Sequence, residues 1–462
     1  MIQLELAVFD GRERPEYIAL SYEWGSFDDA RVIHVNDAFL IITENLHSFL
    51  KTLEADGAYV NRWFWADQIS MDQTNIQERD HQVGLMGSIY SEAEVVFAYL
   101  GKEGDSSLTE NALSDLRHWA DKIPANKSLL AGLAMMTRSY WGRLWIVQEI
   151  RLARSAIFWC GRFQINRNDL YGLSRFLKLE SPEVLNKVLV TATGQRAEAD
   201  RKRAEILRAD AVSLWALLQD PENIPTVSLG DVLEKFGHKS CLDPRDKIFG
   251  LQALVKPSQR VTADYSLSLE QVFYRVLLAQ LSDHQTSRCP AAVWRNEHES
   301  TLGHLMRFRY QVPSCLRPKD FERVIRLVCW AYMIARLPTD IDWSECSYYS
   351  WHRLWWMVGS QAVTRRQKTL AEDFQILGKQ NIESMIAGDT DLTSEQRSSL
   401  KWSFMVDKHQ PLQTDICKRL AERSRSSLSE AAAKHGFLVF EGLLCHPQDW
   451  PFPAATATGT YA

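Results

Sequence analysis

Short runs of β-branched and aromatic residues punctuate the first third of the chain, at residues 18–22, 32–35, 39–42, 63–66, 95–100 and 156–159. Each has the length and composition that predicts a strand. Between the second and third runs lies Asn36-Asp37-Ala38, a tight-turn composition that joins them as a hairpin. The other runs are separated by stretches of helical spacing, residues 44–53 and 75–91. Alternating strands and helices predict an α/β unit with a mainly parallel sheet flanked by helices, over residues 1–165. Beyond Gly161 the strand pattern stops. Residues 167–180, 196–219, 268–283 and 318–337 repeat apolar positions at helical spacing, which predicts a mostly α-helical region over 166–360 packed on the first. Residues 361–462 are polar, rich in Ser, Arg and Lys, and weakly periodic, so they are expected to be partly flexible, as is the tail from Pro451.

A chain of 462 residues with 45% hydrophobic residues is long enough for two or three packed regions. The charge balance, 53 basic against 58 acidic side chains, supplies no long-range field for nucleic acid or an anionic membrane. Eight cysteines are scattered without a C-x-x-C pair or a matching histidine pattern, so neither a zinc site nor a disulfide framework is signalled. The first residues carry acids early and lack a basic stretch followed by an apolar run. No run of some eighteen apolar residues occurs, so no membrane span is expected. The expectation is a soluble cytoplasmic protein.

Several polar residues stand where chemistry could be done. Trp145 and Glu149 are four apart, which on a helix puts an aromatic plane and a carboxylate one turn apart on one face. Together they could wall a pocket; alternatively Trp145 packs on the sheet and Glu149 pairs with Arg143, Arg151 or backbone donors. Asp67 follows the strand at 63–66, at a carboxyl end where open α/β sheets hold ligands, or it serves as a turn cap. Asn75 and Glu78 have capping-box spacing, which makes Glu78 structural. Arg79, on the same helix, could meet a ligand phosphate or a salt-bridge partner. The charges of Asp243-Pro-Arg-Asp-Lys247 alternate and neutralise one another, so the segment is read as architecture, with no metal site. Histidines are dispersed, and hydrolase triads and the phosphate-binding loop G-x-x-x-x-G-K-[ST] are absent. Trp330, Trp343, Trp351, Trp355 and Trp356 are read as core more than as a stacking platform.

Four motifs in order, Tyr17-Ile-Ala-Leu-Ser-Tyr-Glu-Trp-Gly25, Trp63-Phe-Trp-Ala-Asp-Gln-Ile-Ser-Met-Asp-Gln73, Glu78-Arg-Asp-His-Gln-Val-Gly-Leu-Met86 and Trp145-Ile-Val-Gln-Glu149, make residues 15–165 resemble the fungal heterokaryon incompatibility (HET) domain. Cys241-Leu-Asp-Pro-Arg-Asp-Lys-Ile-Phe-Gly250 and Ala263-Asp-Tyr-Ser266 look like short motifs that follow the domain in this family. HET domains are similar to TIR domains, so the resemblance implies a TIR-like, flavodoxin-like sheet. It also implies a role in non-self recognition and programmed cell death. In TIR domains that cleave NAD, the residue matching Glu149 breaks the nicotinamide–ribose bond. On that basis Glu149, Trp145 and Asp67 are candidate catalytic residues. Ser21, Tyr22, Trp24, Gly25 and Arg79 are candidates for contacting NAD, the implied substrate; no resident cofactor is implied. Where the family has a Cys and an Asn, this chain has Ser70 and Asp72, so a cysteine nucleophile is not available there. The other class of function is a non-catalytic signalling module that self-associates or docks on another incompatibility protein.

Overall fold

The computed structural model describes residues 2–9, 14–102, 135–179, 227–283, 289–290, 294–317, 321–342, 359–388, 428–440 and 443–445, with a few short pieces between them. The chain divides into two compact units, Met1–Ser268 and Leu269–Ala462. The first therefore extends beyond residue 165, taking in the segment around residues 227–268.

Two sheets build the first unit. The larger has five strands in the order β5-β2-β6-β7-β8, formed by Trp63–Trp65 (β5), Tyr17–Tyr22 (β2), Val95–Tyr99 (β6), Ala156–Cys160 (β7) and Phe163–Asn166 (β8). β5, β2, β6 and β7 pair in parallel, and β8 returns antiparallel to β7. The smaller sheet is β1-β3-β4, from Gln3–Leu4 (β1), Arg31–Val35 (β3) and Ala38–Ile42 (β4), with β1 parallel to β3 and β3 antiparallel to β4. The unit is thus α/β with mixed sheets. All six expected strands are present within a residue or two; β1 and β8 were not expected. β2 reads as a continuous apolar run because it lies inside the sheet, with Ile18 to Tyr22 all buried. The hairpin turns on Asn36, whose φ of 50° is tolerated by Asn.

Helix α1 (Glu44–Asp56) buries Leu46, Phe49, Leu50 and Leu53, one stripe at helical spacing, and ends on Gly57 at φ 74°. Phe49 stacks on Tyr99 of β6 at 4.7 Å between ring centroids. A single turn, α2 (Asp67–Ser70), follows β5. Helix α3 (Ile76–Glu92) is capped by Asn75, whose side chain accepts from the Gln77 and Glu78 amides. Glu78 does not close the expected capping box; its carboxylate instead accepts from the Asp72 amide at 2.9 Å. Helix α4 (Ile146–Arg151) is buried along its whole length, and α5 (Arg167–Leu179) follows β8.

In the second unit the helices Leu269–Asp283, Trp294–Gln311, Phe321–Asp340 and Arg365–Gly388 dominate, with a parallel strand pair and an antiparallel pair. The last helix falls in a stretch expected to be weakly ordered. It forms because Thr364 and Gln367 make a capping box: Gln367 N donates to Thr364 Oγ1, and Gln367 Oε1 accepts from the Val363 and Thr364 amides. Leu370, Ala371 and Phe374 are buried beyond it. Trp330 is core, 1% exposed. Trp343, Trp351, Trp355, Trp356, most of the expected helix at 196–219 and the tail from Pro451 lie outside the described residues. Among the described residues no helix is long and apolar enough to cross a membrane.

Candidate functional site

The carboxyl end of β2 places Ser21 and Tyr22 on opposite faces of the sheet, and each meets a carboxyl group. Ser21, 1% exposed, hydrogen-bonds to Glu149 Oε2 and lies 2.5 Å from the Tyr140 hydroxyl. A serine has one proton to give. With Glu149 ionised, Ser21 donates to it and Tyr140 donates to Ser21, making a chain of three oxygens. Tyr22 donates its hydroxyl to Asp67 Oδ1 at 2.5 Å, and the Trp24 indole donates to Asp67 Oδ2 at 2.6 Å. Asp67 Oδ1 also accepts from the Gln68 amide at 2.9 Å, within the first turn of α2.

Arg143 stands between the two carboxyl groups. Its guanidinium donates to the Tyr22 carbonyl and lies 3.9 Å from Glu149 Oε2. Glu149 is 2% exposed. Burial raises its pKa to about 7, against the opposing pull of the Arg143 charge and the Ser21 hydrogen bond; the Asp67 charge adds to the rise. Burial also pushes Asp67 up, opposed by the Tyr22 hydrogen bond and Arg143. Tyr140 is raised by burial and by the neighbouring Glu149 charge. The arrangement holds a carboxyl that changes protonation near neutrality at the end of a two-hydroxyl chain.

Trp145 leaves this group. It is the residue at the start of α4, and the Glu149 amide donates to its carbonyl at 3.3 Å, so the expected one-turn relation holds in the backbone. Its indole, however, donates to Asp246 Oδ2 at 3.2 Å. Arg79 is placed beside that second group, its guanidinium 3.9 Å above the Tyr265 ring. Gly25 takes φ 73° beside Asn45, whose amide donates to the Glu23 carbonyl. The structure therefore gathers Ser21, Tyr22, Trp24, Asp67 and Glu149 around Arg143, and draws Trp145 and Arg79 elsewhere. Sequence reasoning missed Tyr140, Asp246 and Tyr265. For Asp246 and Tyr265 the signal lies in the two downstream motifs, Cys241 to Gly250 and Ala263 to Ser266, the first of which also reads as architecture by its alternating charges; Tyr140 lies in no quoted motif.

Two hollows open on the first unit, one of them beside the network. A groove of about 1050 Å³ is lined by Trp24, Phe27, Ile41, Trp63, Trp65 and Gln68 among others, and Trp24 forms both its wall and a bond to Asp67. A second, of about 780 Å³, opens beside α1, with Lys51, Tyr99, Lys102 and Arg162 on its wall. Glu149 and Asp67 line neither; Glu149 is buried, whereas Asp67 is partly exposed. Among the described residues no group of three or more His, Cys, Asp or Glu side chains is arranged to hold a metal ion.

Residues 17–149 match the family model described as heterokaryon incompatibility protein (HET). Heterokaryon incompatibility protein 6, OR allele, from Neurospora crassa is 26% identical to this chain over 322 residues, covering 56% of the chain and 46% of the relative. The match thus spans less than half the length of that relative. No solved structure gives a significant match.

Proposed function

We propose that residues 17–149, which match the heterokaryon incompatibility family model, form a HET domain and that the protein acts in heterokaryon incompatibility through the Glu149 carboxyl, by TIR-like cleavage of the nicotinamide–ribose bond of NAD. The observation that carries this reading is Glu149 itself: a carboxyl 2% exposed, held by Ser21, with a pKa of about 7. Strongly shifted groups of this kind cluster at functional sites. Breaking the bond to a cationic nicotinamide builds positive charge on the ribose, and a desolvated carboxylate stabilises that charge more than an exposed one does. A cation arriving at Glu149 also favours loss of its proton. Since Glu149 lines neither hollow, turnover requires the cover over it to open, and assembly of several copies would supply the trigger.

The second reading is a non-catalytic docking module. The exposed apolar side chains of the β3–β4 hairpin, Val32, Phe39 and Ile41, favour it, together with the tryptophan-lined groove beside them. One experiment separates the two. The purified chain, dilute or artificially clustered, is incubated with NAD and nicotinamide release is followed, while cell death is scored in parallel for the wild type and Glu149→Gln. Release and killing lost together in the variant support catalysis. Killing retained by Glu149→Gln rules it out.

A further inference from the structure

The two short motifs downstream of the domain come together beside α3 and the start of α4. Arg245 donates to the Tyr265 carbonyl at 2.8 Å and the Leu267 carbonyl at 2.6 Å, and pairs with Asp243, so the 241–250 and 263–266 motifs are tied to each other. Asp246, 7% exposed, then accepts two donors, Tyr265 Oη on Oδ1 at 2.5 Å and Trp145 Nε1 on Oδ2 at 3.2 Å. The Tyr265 amide donates to Asp80 Oδ1 at 2.8 Å and Arg79 covers the Tyr265 ring, which binds the same motif to α3.

The approach to α4 is laced to this segment as well. Leu144 N donates to the Ser240 carbonyl at 2.8 Å, Ser240 N to the Gly142 carbonyl at 2.7 Å, and the buried Lys239 ammonium to the Trp141 carbonyl at 2.8 Å. Between these bonds lies Arg143, the cation beside Glu149. Gly250 completes the fit, since a Cβ there would come within 3.0 Å of the Asp246 carbonyl and 3.4 Å of the Trp145 ring.

We propose that Asp246 and Tyr265 are positioning residues for Glu149: by holding the Trp145 indole they seat α4 against β2, and the segment 239–267 is thereby an internal clamp that governs access to the Glu149 carboxyl. The inference rests on Glu149 being the working carboxyl. The route is mechanical. Glu149 is one backbone hydrogen bond from Trp145, so a tilt of the indole moves the carboxyl off Ser21. The ionisable groups that face Glu149 are Arg143, Asp67, Tyr140 and Tyr90; Asp246 is not among the groups that shift it. Removing the Asp246 charge therefore leaves the field at Glu149 almost unchanged, and any change in its titration reports movement.

Two variants of the full chain test the clamp. Tyr265→Phe keeps the ring beneath Arg79 and deletes the donor to Asp246; Asp246→Asn leaves a single acceptor oxygen for two donors. The readouts are the Glu149 carboxyl titration, observed by ¹³C labelling with Glu149→Gln as the blank, and the indole N–H resonance of Trp145. The expected result is a Trp145 resonance that moves in both variants and a Glu149 midpoint that falls from about 7 by half a unit or more, toward the ordinary value of 4.5, as water reaches the carboxyl. A midpoint that stays in place or rises in either folded variant overturns the proposal, whatever happens to melting temperature. Nicotinamide release is measured alongside on clustered protein: absence of release from the wild type, together with the midpoint shift in the two variants, refutes NAD cleavage and leaves the clamp standing.

Discussion

Replacing Glu149 by Gln should stabilise the folded protein at alkaline pH and leave it nearly unchanged in acid. The side chain is 2% exposed, and its pKa of about 7 compares with an ordinary 4.5. Below pH 4.5 the carboxyl is protonated in both folded and unfolded chains. Between 4.5 and 7 the folded chain keeps a proton that the unfolded chain has lost, so stability falls as pH rises, and above 7 the loss is complete. At about 1.4 kcal/mol per unit, the full penalty is about 3 kcal/mol, most of which develops between pH 5 and pH 8. Gln mimics the protonated acid, since its carbonyl still accepts from Ser21. The difference in melting temperature between Glu149→Gln and wild type should therefore grow by about 5 °C from pH 5 to pH 8. The assay is thermal unfolding of both proteins at matched ionic strength across that range. A difference that does not change with pH would show that Glu149 titrates normally, and both the desolvated carboxyl and the chemistry built on it would fall.

Other substitutions probe the frame around the site. Asn75→Ala removes the cap that serves two amides of α3 and should lower stability by about 1 kcal/mol, seen as a lower urea midpoint. Gly87→Ala would set a Cβ 2.5 Å from the Ala253 Cβ, so despite the better helix propensity of Ala it should destabilise by about 1–3 kcal/mol. Adding Ala253→Gly should restore most of that loss, and a double variant no better than the single one would show that the clash is not the cause. Trp24→Phe keeps a ring in the groove wall but deletes the donor to Asp67; because that bond favours the ionised form, the Asp67 midpoint should rise in a carboxyl titration.

The strands of the first unit were legible because each buries a β-branched or aromatic run, and the hairpin because Asn36 and Asp37 leave no room for a longer turn. The strands that escaped notice lack that signature: β1 is two residues long, and β8 follows β7 after only Gly161 and Arg162, so its pattern merges with its neighbour's. Helix Arg365–Gly388 was hidden by its composition, although Thr364 and Gln367 were visible as a capping box. Polarity across a stretch says how much of it is solvated, whereas caps say where a helix starts, and here the second kind of signal was the informative one.

The site was half legible for a related reason. Spacing fixes which residues share a helical turn, and Trp145 and Glu149 do; it does not fix where a side chain finds its hydrogen-bond partner. The indole's acceptor lies 101 residues further along the chain, beyond the reach of any local pattern. Asp67 and Glu149 meet through Arg143, which spacing presented merely as one ion-pair partner among several. What energetics adds is direction. If Glu149 were there to hold α4, a Gln would accept the same Ser21 bond without the penalty of about 3 kcal/mol that the buried charge imposes above pH 7. Arg143 reduces that penalty but does not cancel it, since the net shift is upward. A buried side chain whose ionisation destabilises the fold at neutral pH makes little sense as a structural strut. It is the kind of local conflict that folded proteins keep at functional sites, and it places the burden of proof on the carboxyl's chemistry.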